Sequence, residues 1–166
     1  MHKVCFDTNV MIWGFQKKAH PSHTHMIPRT RHLIETLEND KVILLVPSVV
    51  VGELLLGISE TEYLAYAYVL ARYLRVIPYD LRAAAKFAEI WNDKDHTGVV
   101  TQLKADGATK NALRADAMIV ATAVTNNVDC IYSHDIGLKN FANGYLEVRD
   151  VPELPPQQTT YLDDED

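Results

Sequence analysis

Four carboxylates stand where an alternating strand and helix chain can bring them together. Asp7 closes the apolar run Lys3–Phe6, in Phe6-Asp7-Thr8-Asn9-Val10, and Asp135 follows Cys130-Ile131-Tyr132 in Ser133-His134-Asp135. Glu53 lies about one turn into Ser48-Val49-Val50-Val51-Gly52-Glu53-Leu54, and Asp116 begins a stripe continued at helical spacing by Ile119, Val120 and Ala123. An acid on an apolar helical face needs a partner. Singly, each has a plain structural use: Asp7 and Asp135 as caps of a turn or helix, Glu53 as a solvated helix residue. Jointly they pose an electrostatic problem, because like charges a few Å apart raise one another's pKa or drive the cluster apart. A divalent cation resolves it, and hard oxygen ligands suit Mg²⁺ or Mn²⁺. Such an ion acidifies water and polarises a phosphoryl oxygen, so the set points to metal-assisted phosphodiester hydrolysis with all four acids as metal-holding, catalytic groups.

That chemistry requires a scaffold delivering four separate segments to one place. Short apolar runs alternate with amphipathic ones, the pattern of an α/β protein with a parallel sheet. Strands are expected near Lys3–Phe6, Val42–Val46, Arg75–Ile77, Asp129–Tyr132 and Leu146–Val148. Helices are expected near Val10–Lys17, Arg29–Asn39, Val49–Gly57, Glu62–Tyr73, Leu81–Asn92, Ala108–Asn126 and Gly137–Phe141. Ser48 and Asp80 are plausible N-caps. Ala19–Pro28 and Asp93–Gly107 are polar, carry turn formers and read as loops. In an open parallel sheet, ligands bind at the carboxyl ends of the strands, where Asp7 and Asp135 fall.

The 166 residues suit one domain at about 150 residues per domain, with 48% hydrophobic and 23% charged residues in the ordinary globular range. We expect a body over residues 1–150 and a Pro-containing acidic tail over 151–166. No apolar run is long enough for a membrane helix, and Met1–Asp7 does not read as a signal peptide, so a cytoplasmic protein is expected. Cys5 and Cys130 sit in apolar runs and read as reduced, buried thiols. Sixteen Lys and Arg against twenty-two Asp and Glu give a net charge of −6, which argues against binding DNA mainly by neutralising phosphates. Most of the excess lies in Asp163-Asp164-Glu165-Asp166. The sequence has neither a Gly-x-x-x-x-Gly-Lys-Ser/Thr loop nor a Gly-x-Gly-x-x-Gly turn, and Asp7-Thr8-Asn9 lacks the second Asp of a phosphoaspartyl-transfer motif.

From Val4 to about Val148 the chain resembles PIN-domain ribonucleases of the VapC-type toxin group. The likeness rests on Asp7-Thr8-Asn9-Val10, then Ser48 with Glu53-Leu54 and Gly57, then Asp116-Ala117-Met118-Ile119-Val120-Ala121-Thr122-Ala123, then Ile131-Tyr132-Ser133-His134-Asp135 with Phe141. The resemblance implies a three-layer α/β/α fold around a central parallel sheet of about five strands. It also implies a Mg²⁺ or Mn²⁺ site on Asp7, Glu53, Asp116 and Asp135, with Asn9 and Ser133 orienting the acids by hydrogen bonds. RNA would be the substrate and an antitoxin protein a partner. A housekeeping RNA-processing nuclease would carry the same residues, and a non-catalytic RNA-binding or scaffold module of the same fold is the alternative.

The surplus over the family's usual length lies in Ala19–Pro28, Asp93–Gly107 and the tail. His20-Pro21-Ser22-His23-Thr24-His25 is flanked by Lys17, Lys18, Arg29 and Arg31, which could contact RNA phosphates; a plain solvated loop is the simpler reading. Tyr63, Tyr66, Tyr68 and Tyr73, with Leu64, Leu70 and Leu74, exceed what one face of a core helix needs. They suit a homodimer seam or a groove for an inhibitory partner helix, against packing inside the monomer.

Overall fold

The computed structural model describes residues 2–156; the expected acidic run Asp163–Asp166 lies outside them. Five strands, β1 (Lys3–Phe6), β2 (Ile43–Pro47), β3 (Arg75–Ile77), β4 (Cys130–Tyr132) and β5 (Glu147–Arg149), form one sheet in the order β3-β2-β1-β4-β5, every pair parallel. Consecutive residues of β1 (Val4, Cys5, Phe6) and all three of β4 are buried. Successive side chains point to opposite faces, so the sheet is covered on both, and this is the three-layer α/β/α arrangement. Exposure rises toward the edges, β3 and β5.

Between the strands run α1 (Thr8–Met11), which continues as a π-turn over Ile12–Gln16, then α2 (Met26–Asn39), α3 (Ser48–Leu56), α4 (Tyr63–Tyr73), α5 (Leu81–His96), α6 (Val99–Ala105), α7 (Lys110–Thr125) and α8 (Ile136–Ala142). α7 packs on both α5 and α8, with Leu113, Ala117, Ile119, Val120 and Ala123 buried, so the stripe that begins at Asp116 faces inward as its spacing predicts. Trp91 stacks on Phe141 at 5.7 Å between ring centroids, joining α5 to α8. Cys5 and Cys130 are free, buried thiols, and burial raises the pKa of both. No helix among the described residues is long and apolar enough to cross a membrane.

Three expectations need correction. Asp93–Gly107 is helical, not a loop: α5 runs on to His96, Gly98 turns the chain at φ 80°, and α6 buries Val100 and Leu103. Its polarity misled because Lys94 is buried with its ammonium bonded to the Asn143 carbonyl at 2.7 Å, a long side chain whose stem packs while its head finds an acceptor. Within Ala19–Pro28, a 3₁₀ turn covers Pro21–His23 and α2 begins at Met26. Ser48 is the first residue of α3, not its N-cap, and its hydroxyl accepts the Tyr79 N–H at 3.0 Å. Asp80 does cap α5, accepting from Ala83 N–H at 2.9 Å.

Candidate active site

The strand order reverses between β1 and β4, the point where an open parallel sheet leaves a crevice at its carboxyl edge. Phe6 pairs with Tyr132, so the residues that follow, Asp7 and Ser133, emerge side by side. Asp7 is 3% exposed and caps α1: Oδ1 accepts the Val10 N–H at 2.8 Å, and Oδ2 accepts the Ser133 hydroxyl. Ser133 Oγ in turn accepts the Asp135 N–H at 3.0 Å, so one buried hydroxyl ties the first acid to the last. Asp135 caps α8 through Leu138 N–H, 2.9 Å from Oδ1. For Asp7 and Asp135, then, the capping role and the site role coincide, since the cap holds the carboxylate at the strand end. α3 leaves β2, the neighbour of β1, and packs on α1, where Glu53 accepts the Thr8 hydroxyl. α7 supplies Asp116, whose Oδ2 would lie 2.6 Å from a Cβ placed on Gly137, with Asp135 Oδ1 3.0 Å from the same point.

Burial pushes the Asp7 carboxyl up to about 6, although its bonds to Ser133 and Val10 pull the other way. The Asp116 carboxyl is pushed up to about 8, by burial first and then by the charges of Asp135, Glu53 and Asp7. Asp116 thus feels the charge of the other three acids and Asp7 that of Asp135, and among the described residues none of the four is in an ion pair. Nor, among the described residues, do three acid, histidine or cysteine side chains converge into a finished cage; hydroxyls and backbone N–H groups hold the carboxylates of Asp7, Glu53 and Asp135 instead. The donor set fits a hard divalent cation. It is all oxygen, it carries surplus negative charge, and Gly137 leaves beside Asp116 and Asp135 a space that any side chain would fill.

A groove of about 1390 Å³ runs from Asp116, Asp135 and Gly137 to the loop carrying His20, His23 and His25. Of the four cations expected to contact RNA, Lys18 and Arg29 line it, whereas Lys17 and Arg31 are exposed outside its lining. Arg29 also anchors the segment after β5, donating to the Val151 carbonyl at 2.5 Å and to that of Pro152 at 2.9 Å. Val151 is fully buried and donates its N–H to His134 Nε2 at 3.0 Å. The neutral His134 ring therefore keeps its proton on Nδ1, 3.3 Å from Asp150, and burial lowers its pKa. Asn9 assists Asp7 through its backbone N–H while its side chain is exposed along the groove. Two residues escaped the sequence reading. Thr8 orients Glu53, and only the meeting of α1 with α3 reveals it; Gly137 is detectable only as a helical glycine two residues after an acid.

The PIN domain family model matches residues 4–144. No curated protein matches this chain at a significant level. Among solved structures, the chain is similar in fold to VapBC2 from Rickettsia felis bound to a DNA fragment from its promoter (TM-score 0.64, 16% identity, covering 90% of this chain and 99% of that one). It is similar also to DNA-bound VapBC from Salmonella typhimurium (0.63, 18%, 92% and 100%) and to VapBC-5 of Mycobacterium tuberculosis (0.52, 14%, 93% and 100%). The matched span takes in all four acids and every strand but the last, and on that match the chain belongs to the PIN domain family.

Proposed function

We propose that the protein is a cytoplasmic, metal-dependent endoribonuclease that hydrolyses RNA phosphodiester bonds, and that it is the toxin of a toxin–antitoxin pair. The observation that carries this reading is that the charges of Asp135, Glu53 and Asp7 all act on Asp116, whose carboxyl is pushed up to about 8, and that Asp116 and Asp135 line an open groove. Asp7, Glu53, Asp116 and Asp135 would hold Mg²⁺ or Mn²⁺, which when bound supplies Lewis acidity toward the phosphate and acidifies water at neutral pH. The chain's own part is to keep the acids aimed. Ser133 links Asp7 to Asp135, Thr8 fixes Glu53, and Gly137 keeps space open between Asp116 and Asp135. Lys18 and Arg29 give the groove wall positive charge for a polyanion. Residues 1–150 would form the nuclease domain and 151–166 an appended tail.

The partners follow from the similar complexes and from one exposed surface. The VapBC structures pair a toxin with an antitoxin, so an antitoxin protein is the partner this reading implies. On α4, Leu70 and neighbouring Leu74 are buried, while Leu64 (87%), Tyr68 (73%) and Tyr73 (55%) remain exposed, which supports a homodimer seam or partner site over packing inside the monomer. Sedimentation at high concentration tests the homodimer, and a monomer throughout would remove it. For the activity, RNA should be cut in Mg²⁺ or Mn²⁺, spared with chelator, and spared by Asp116→Asn protein with parental circular dichroism. Cutting that survives chelation or the substitution would overturn the metal mechanism; a folded protein that binds RNA but never cuts it would favour the non-catalytic module.

A further inference from the structure

We propose that the histidines of the 20–25 loop, backed by Trp13, form a base-stacking subsite that receives an unpaired nucleobase of the RNA lying in the groove. The inference rests on the endoribonuclease reading and specifies how that substrate is gripped. Trp13 sits on the π-turn that follows Asp7 and α1, and it is 8% exposed. His23 lies over it with ring centroids 6.4 Å apart and planes inclined by 26°; His25 follows at 6.4 Å and 33° from His23. A buried indole thus backs the exposed His23 ring, with His25 tilted beyond it and His20 inclined to His23 by 60°. The edge of His134, the residue before Asp135, meets the same indole at 5.7 Å, so the ring series adjoins the acids.

The loop is ordered by its own polar contacts and not by burial. Every residue from His20 to His25 is exposed. Ser22 Oγ lies 2.8 Å from His20 Nδ1 and 3.1 Å from His23 Nδ1, and the Ser22 N–H donates to His20 Nδ1 at 3.4 Å. Two surface imidazoles, His20 and His23, held through one serine hydroxyl exceed what an exposed loop needs for packing. A metal accounts for them less well, because the Nδ1 atoms of both His20 and His23 are turned to Ser22 Oγ. A π-face for an unpaired base does account for them, since stacking on aromatic side chains is how proteins grip single-stranded nucleic acid, with cations tracking the backbone beside it. Lys18 and Arg29 occupy that position on the same groove wall. An acidic peptide would meet these cations but has nothing to set against the rings, and it would face Asp106 and Asp116 along the groove.

The test separates the subsite from the nuclease reading by measuring binding without cleavage. The full-length protein, with chelator present, is titrated with a short fluorescent single-stranded oligoribonucleotide, with the same strand made abasic, and with a duplex of the same sequence. His23→Ala should weaken binding of the intact single strand by about 5- to 100-fold and leave the abasic strand and the duplex nearly unchanged, whereas His23→Phe should keep most of the parental affinity. Salt dependence should be unaltered in His23→Ala but shallower by about one in Lys18→Ala. Equal binding by parent and His23→Ala, equal weakness in His23→Ala and His23→Phe, or an equal loss on the abasic strand would each overturn the proposal. So would an oligoglutamate probe that depends on His23 when RNA does not. His23-dependent binding by a protein that never cuts RNA in Mg²⁺ would remove the nuclease reading and leave the subsite standing; cutting with His23-independent binding would do the reverse.

Discussion

Replacing Asp116 by Asn should stabilise the metal-free protein while removing its response to metal. The parental carboxyl is pushed up to about 8 from 3.8, so between those values the folded protein holds a proton that the unfolded chain has released. Stability is therefore lost as pH rises through this window, the reverse of an ion-paired acid. Each pH unit is about 1.4 kcal/mol, which makes the full penalty on the order of 5 kcal/mol at pH 8. Asp116 is only partly buried and its carboxylate can turn toward water, so about half of that, ~2–3 kcal/mol, is the expected gain in the amide variant. In a chain of this length, 1 kcal/mol moves the melting temperature by about 2–4 °C. Melts without metal should coincide near pH 4 and separate progressively, with Asp116→Asn higher by about 5–10 °C at pH 8. Millimolar Mg²⁺ or Mn²⁺ should then raise the parent by about 2–3 kcal/mol if it reaches a hundredfold excess over Kd, and the variant by much less. A melting difference independent of pH, or an equal metal response in both proteins, would refute the reasoning.

Gly137→Ala puts a Cβ at 2.6 Å from Asp116 Oδ2 and 3.0 Å from Asp135 Oδ1; Asp135 is pinned as a cap, so Asp116 must give way by roughly 1 Å, a misplacement that can cost about 100-fold in rate. Alanine suits a helix better than glycine by up to about 1 kcal/mol, so RNA cleavage should fall in a protein whose melting temperature holds or rises, and unchanged cleavage would count against a site at this position. Ser133→Ala removes the hydroxyl shared by Asp7 and Asp135 and should lower metal affinity about 10- to 100-fold by titration calorimetry with circular dichroism unchanged. Lys94→Met leaves the Asn143 carbonyl without its donor and removes the ammonium 5.5 Å from the centre of the Tyr145 ring; a loss of about 1–3 kcal/mol in urea denaturation is expected, with little effect on RNA cleavage.

The amino-acid sequence determines what is local to each segment. β1 and β3 fall at the expected residues, because short apolar runs bounded by turn formers leave little choice of boundary. Asp7 and Asp135 are legible as acids at strand ends because one residue both ends the strand and caps the helix, and Asp116 because its neighbours at helical spacing are apolar. α6 was missed although Val99, Val100 and Leu103 carry a helical spacing, since seven residues make too short a period to stand out against their polar neighbours. Only the tertiary structure decides what joins distant segments. The order β3-β2-β1-β4-β5 sets Asp7 beside Ser133, 126 residues away; the packing of α3 on α1 gives Glu53 its hydroxyl donor, which sequence reading assigned to neither chain segment. The close approach of α7 to α8 makes a glycine matter at 137 and assembles a groove whose wall includes a histidine loop that reads, by itself, as solvated surface. A residue's type and its near neighbours fix its propensity and its charge, but the partners that orient a carboxylate, and the other carboxylates that raise its pKa, come from elements with no sequence neighbourhood in common.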